Sequence, residues 1–89
     1  MIVEIEIPDY DPAPSLKLPI VFGSQIEATV GVSEFVIRAD SNGLRLLAGH
    51  LLALAQEGVP TGMHLHYDPG APLADDSASF AFERIDPAI

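Results

Sequence analysis

The sequence predicts an α+β domain: a mostly antiparallel sheet of about five to six strands, with one amphipathic helix packed on one face. Three observations predict it. Several short segments alternate apolar and polar residues with the period of two that marks half-buried strands. One segment, 44–56, repeats its leucines with helical period instead. The helix lies between runs of strands and does not alternate with them, which is the order of an α+β sheet.

Val3, Ile5 and Ile7 share one face of residues 2–7, and Glu4 and Glu6 the other, predicting a strand that Pro8 ends. Residues 8–15 hold three prolines and predict a loop. Leu16, Leu18, Ile20 and Phe22 alternate again, but Pro19 has no N–H for a ladder, which confines a strand there to an edge. Gly23-Ser24 predicts a tight connection. Gln25 to Val32 is the clearest amphipathic strand, with Ile26, Ala28, Val30 and Val32 opposite Gln25, Glu27, Thr29 and Gly31. Ser33 to Arg38 carries Phe35, Val36 and Ile37 in succession and predicts a more central strand.

Asp40, Ser41 and Asn42 are all residues that accept bonds from the free amides at a helix start. At about 100° per residue, Leu44, Leu47, Ala48, Leu51, Leu54 and Ala55 form a stripe predicted to face the sheet. Arg45, Gly49, Ala53, Gln56 and Glu57 fall opposite. Leu46 and Leu52 lie off the stripe, as surface residues or as an extension of the apolar face into a contact surface. Gly58 and Pro60 stop the helix. Met63, Leu65 and Tyr67 then alternate with His64, His66 and Asp68 in a further strand. Residues 69–76 predict a loop, and Ser77 to Ile85 a returning strand with Ala78, Phe80 and Phe82 on one face. The tail 86–89 is expected to fray. The sheet face away from the helix would be polar and acidic, carrying Glu4, Glu6, Glu27, Thr29, His64 and His66.

At 89 residues the chain reads as one domain, 1–89: a strand-rich leader with its Pro-rich loop, 1–32, then a strand–helix–hairpin unit, 33–85. An apolar content of 48% argues against intrinsic disorder. Without cysteine there is no disulfide framework and no thiolate metal site, which fits a reducing compartment. No apolar run approaches the roughly 18–20 residues of a membrane span. The first residues carry acid where a signal peptide carries base, so the chain reads as cytoplasmic. Thirteen acidic residues against 4 basic ones give a net charge of −9. That surface repels nucleic acid and anionic membrane, and attracts a basic protein such as a nuclease.

His64, His66 and Asp68 are the one constellation of metal-ligand types. At i, i+2 and i+4 they share a strand face, about 6.5–7 Å per step. The pattern has no fourth ligand and no placed general base, so the same residues also read as solvent-facing or pair-bonded histidines, with Asp68 closing a turn before Pro69-Gly70. His50, at the edge of the helix stripe, reads as an imidazole bonded to a backbone or carboxyl group. The serines sit in turns, caps and strand starts, where serine belongs on backbone grounds. There is no Gly-x-Ser-x-Gly elbow, phosphate loop or dinucleotide fingerprint. These residues predict no catalytic centre and no cofactor.

The run Phe35 to Asp40, then Gly43-Leu44, Leu47-Ala48, Leu51, Leu54-Ala55, Gly62-Met63-His64-Leu65-His66, Asp68 and Ser79-Phe80-Ala81-Phe82-Glu83-Arg84, resembles the immunity protein 32 family of bacterial polymorphic toxin systems. The resemblance covers residues 33–85; the Pro-rich segment 8–19 and Tyr67 depart from its pattern. It implies a small cytoplasmic protein that binds and neutralises a cognate toxin by blocking a site, with no chemistry of its own. It makes His64, His66 and Asp68 structural or partner-facing. Charge and expected exposure, not the resemblance, select Asp9, Asp11, Asp75 and Asp76 as partner-binding residues, with Tyr10 and Tyr67 as aromatic anchors. Two alternatives stand beside this reading: a self-associating module that dimerises through the helix or the Leu16–Phe22 edge, and a metal-binding module built on His64, His66 and Asp68.

Overall fold

The computed structural model describes residues 1–13 and 15–87. Among them are four strands and one helix, in the order β1 (Ile26–Val30), β2 (Phe35–Ala39), α1 (Ser41–Leu54), β3 (His64–Tyr67) and β4 (Phe80–Glu83). The α+β class holds. The single sheet of five to six strands does not: β1 pairs with β2 and β3 with β4, in two antiparallel two-stranded sheets. The first runs in register from Ile26 opposite Ala39 to Val30 opposite Phe35, the second from His64 opposite Glu83 to Tyr67 opposite Phe80.

The two strands predicted in the leader are absent, for different reasons. Over residues 2–7 the chain finds no strand to pair with. Its end is clamped by a side chain instead: Gln56 Nε2 donates to Pro8 O at 3.1 Å, and Gln56 Oε1 accepts from Tyr10 N–H at 3.0 Å. Ile5 and Ile7 are half-buried, while Ile2 and Val3 are exposed. Over 16–22, Pro19 breaks the alternation. Leu16, Leu18 and Val21 pack against the core, and Ile20 and Phe22 face solvent. Residue 14 of the Pro-rich loop and residues 88 and 89 of the tail lie outside the described residues.

Between the two sheets, the segment predicted as a plain loop, 69–76, runs beside β1. Ile26 N–H donates to Pro72 O (3.1 Å) and Ala74 N–H to Ile26 O (2.8 Å). Further along, Ala28 N–H donates to the buried Ser77 Oγ at 2.8 Å, and Ala78 N–H donates to Ala28 O at 2.8 Å. β1 is therefore bonded on both sides, which is why Ile26 and Ala28 are 2% and 1% exposed while Val30, past the end of this contact, is 73% exposed.

The helix starts where its cap residues place it. Asp40 accepts from Gly43 N–H at 2.7 Å and also from Gln25 N–H at 3.1 Å, so one carboxylate ties the helix start to the strand before it. At the other end, Arg84 Nη1 donates to Leu54 O and Gln56 O, placing a cation on the free carbonyls of the last turn. The buried face is rotated from the predicted stripe. It comprises Gly43, Leu46, Leu47, Gly49, His50, Ala53 and Leu54; Leu44 (56%) and Leu51 (43%) are exposed. The small residues decide this. A Cβ at Gly43 would stand 2.6 Å from Gln25 O, and one at Gly49 2.7 Å from Pro19 Cγ. These are the positions where backbone and leader come closest to the helix.

β3 and β4 are joined at their open end by a turn and a bulge. Met63 N–H donates to Pro60 O (3.2 Å), Gly62 has φ +91°, and both Gly62 N–H and Arg84 N–H bond across the strands, to Arg84 O and Met63 O (2.8 Å each). Two residues, Gly62 and Met63, thus oppose one, Arg84, and the left-handed position is filled by glycine.

Candidate functional site

Every Asp and Glu side chain is exposed except the half-buried Glu27. Two of the four basic residues stand within ion-pair distance of an acid: Arg38 lies 3.8 Å from Glu27 and Arg84 3.6 Å from Asp86. The surface is therefore a field of carboxylates with little compensation.

Part of that field surrounds a hollow of about 650 Å³ at the corner of β1, β2 and the start of α1. Glu27, Asp40 and Asp75 line it together with Arg38 and Gln25. Strand pairing places Glu27 directly opposite Arg38. The bond from Ala74 N–H to Ile26 O brings Asp75 to the same corner, and the exposed Asp76 follows it in the chain. The other predicted acids, Asp9 and Asp11, are elsewhere. Tyr10 between them is half-buried and tied to Gln56, just past the helix C-terminus, whereas Asp40 caps its N-terminus. Fourteen helical residues separate the two ends by about 21 Å. The structure thus forms two acidic regions, not one.

Tyr67 is a core residue. It is 7% exposed, stacks on Phe80 at 4.7 Å and meets the edge of Phe82 at 5.6 Å. Its hydroxyl lies 2.8 Å from His50 Nδ1, and His50 Nε2 lies 3.0 Å from Pro19 O. A carbonyl only accepts, so Nε2 carries the proton and Nδ1 accepts from the tyrosine hydroxyl. The expected backbone bond of His50 is present, and the leader is fastened to the core through it.

Burial lowers the His50 pKa from 6.5, partly offset by the Pro19 bond, and raises that of Tyr67 to about 12. Each group is held in its neutral form. The unfolded chain takes up a proton at His50 near 6.5 and releases one from Tyr67 near 10. The stability due to neutral His50 is therefore complete above about 6.5 and is lost as pH falls through the lower folded value; that due to neutral Tyr67 is complete below about 10 and is lost as pH rises toward 12. Urea midpoints measured across pH are expected to show a plateau between these limits, with the acid shoulder removed in His50→Gln.

His64 and His66 are exposed on the outer face of β3, their rings edge to face at 4.8 Å, with His64 Nδ1 2.9 Å from Gly62 O. Asp68 is exposed just beyond them. Among the described residues no three His, Asp or Glu side chains are grouped to hold a metal ion. Of the two predicted self-association surfaces, Leu16–Phe22 forms no strand and offers no edge, while the outer helix face exposes Leu44, Leu51 and Leu52. No helix among the described residues is long and apolar enough to cross a membrane.

No curated protein and no solved structure matches the chain. A family model does. The one described as immunity protein 32 matches residues 34–85, more than half of the chain, from the start of β2 past the end of β4. Since that match spans β2, α1, β3 and β4, the chain belongs to the immunity protein 32 family.

Proposed function

We propose that this protein neutralises a cognate bacterial toxin in the cytoplasm by binding it, without chemistry of its own, and that the toxin is a basic, nuclease-type protein. Family membership supports the immunity role. The observation that carries the choice of partner is the acidic corner of Glu27, Asp40 and Asp75, with the exposed Asp76 next in the chain, where a single arginine stands among three carboxylates. Such a surface steers a cationic cleft toward it and speeds capture. Asp9 and Asp11, with Tyr10, form the second contact region at the far end of the helix. His64, His66 and Asp68 serve the partner surface, not a metal.

The test is co-expression with the product of the neighbouring toxin gene, read by growth rescue and by pull-down. The wild-type chain is expected to restore growth and to form a complex whose association slows as salt rises. The double reversal Asp75→Lys, Asp76→Lys is expected to slow association by about 10- to 100-fold at low salt with little change in dissociation. An unaltered association rate would remove this corner from the interface. Absence of any complex would overturn the reading.

A further inference from the structure

β1 and β3 differ in how their second edges are treated. The free groups of Ile26 and Ala28 on β1 are met by Pro72, Ala74, Ser77 and Ala78. On β3 the Gly62 bulge makes Met63 and Arg84 a hydrogen-bonded pair. Alternation along an antiparallel ladder then makes Leu65/Phe82 and Tyr67/Phe80 the bonded pairs, and turns the N–H and C=O of both His64 and His66 away from β4. Among the described residues no other segment bonds to that edge. Yet the edge does not open directly onto flat surface. It borders a hollow of about 680 Å³, lined also by Leu18, Ile20, Leu46 and Leu73. That volume lies in the range of about 300–1,000 Å³ usual for binding sites.

We propose that this groove receives an extended segment of the toxin, which adds to β3 as a further strand. The inference rests on the immunity reading and names the kind of contact it uses. The backbone groups of His64 and His66 supply four hydrogen bonds to the added strand, and alternate side chains supply specificity. Side chains turned inward meet leucine and isoleucine and are apolar. Those turned outward share a face with His64 and His66, next to Asp68, which lines the groove, and one strand away from Glu83, across from His64 on β4; they are lysine or arginine. Charge also makes a second copy of this chain the wrong occupant, since two chains of net charge −9 would meet.

His66→Pro isolates the contact. Its N–H faces the groove and not β4, so proline removes a groove donor without removing a ladder bond. His66→Ala keeps the donor. With the neighbouring toxin as the probe, His66→Pro is expected to weaken the complex about tenfold more than His66→Ala, which loses the side chain and keeps the donor. Amide exchange at His64 and His66 is expected to slow at least about tenfold when the wild-type complex forms. Wild-type affinity in His66→Pro, or exchange in the complex at the free rate, would overturn the groove while leaving the immunity reading intact. Should His66→Pro fail to fold, exchange in the wild-type complex decides. Protection of these amides in the free protein that grows with its concentration would assign the groove to a second copy and overturn the proposal. If no complex forms with the toxin, the immunity reading falls and the groove with it.

Discussion

Tyr67→Ala is expected to lower stability by about 3–5 kcal/mol, the range for removing a buried aromatic side chain. Small domains have about 5–15 kcal/mol in total, so this single change removes a large fraction of it. Three contributions disappear together. The ring leaves the stack on Phe80 and the edge contact with Phe82. A cavity opens beside Leu65, Leu46 and Leu73, members of the same core cluster. His50 Nδ1 loses its donor, and with it one of the two bonds that fix the ring against Pro19 O. Tyr67→Phe separates these effects. It keeps the packing and removes the hydroxyl, leaving a buried acceptor unmet, at a cost of about 1–3 kcal/mol. Urea denaturation of both variants checks the order. A Tyr67→Ala protein as stable as Tyr67→Phe would place the ring outside the core.

Tyr67 also shows where the sequence is legible. Its parity along the strand matches Met63 and Leu65, and Leu65 is 8% exposed. Alternation therefore assigns Tyr67 to the inside, where its ring is 7% exposed. Short-range signals performed best. Asp40 caps the helix, β1, β3 and β4 fall within the segments that alternation predicts, and β2 ends one residue past the apolar run that predicts it. The leader failed because alternation records only that a segment is suited to pairing. Whether a partner strand is within reach depends on the whole fold; residues 2–7 pair with none, and the Gln56 side chain holds the backbone just beyond them, at Pro8 and Tyr10. The bonding of 72–78 to β1 had a weaker trace. Ser77 is buried with its hydroxyl accepting from Ala28 N–H and donating to Ala78 O, a role that a strand-start serine does not announce.

The family match begins at residue 34 and so excludes β1. Ile26 and Ala28 of that strand are among the least exposed residues, and Pro19, further upstream, completes the His50 pair. The conformation of the matched region is thus fixed partly from outside it. The acidic corner is divided in the same way. Glu27 comes from the unmatched leader, and Asp40 and Asp75 from the matched unit.

Gly43→Ala is expected to destabilise the protein by about 1–3 kcal/mol, against the trend for helices. In a solvated helix the same change stabilises by about 0.5–1 kcal/mol, because glycine loses more backbone freedom on folding. At Gly43 the new methyl would stand 2.6 Å from Gln25 O, 3.0 Å from Ile26 Cγ1 and 3.1 Å from Ala39 Cβ. Two of these belong to β1 and β2, and the first is backbone held by the Asp40 cap, so neither can move without shifting the helix start from both strands. Gly49→Ala is the control. Its methyl would meet Pro19 Cγ at 2.7 Å, but Pro19 lies in the leader, outside any strand, and has more freedom to retreat. The leader would then draw away from His50. Gly49→Ala is therefore expected to cost less in urea midpoint while disturbing the His50–Pro19 bond, seen as a shifted His50 Nε2–H resonance by NMR. Equal losses in the two variants would mean that the leader is as rigid as the sheet. A gain in Gly43→Ala would mean that the helix is not seated on β1 and β2 as closely as Gln25 O requires, and the rotated face, with Leu46 inside and Leu44 outside, would fall with it.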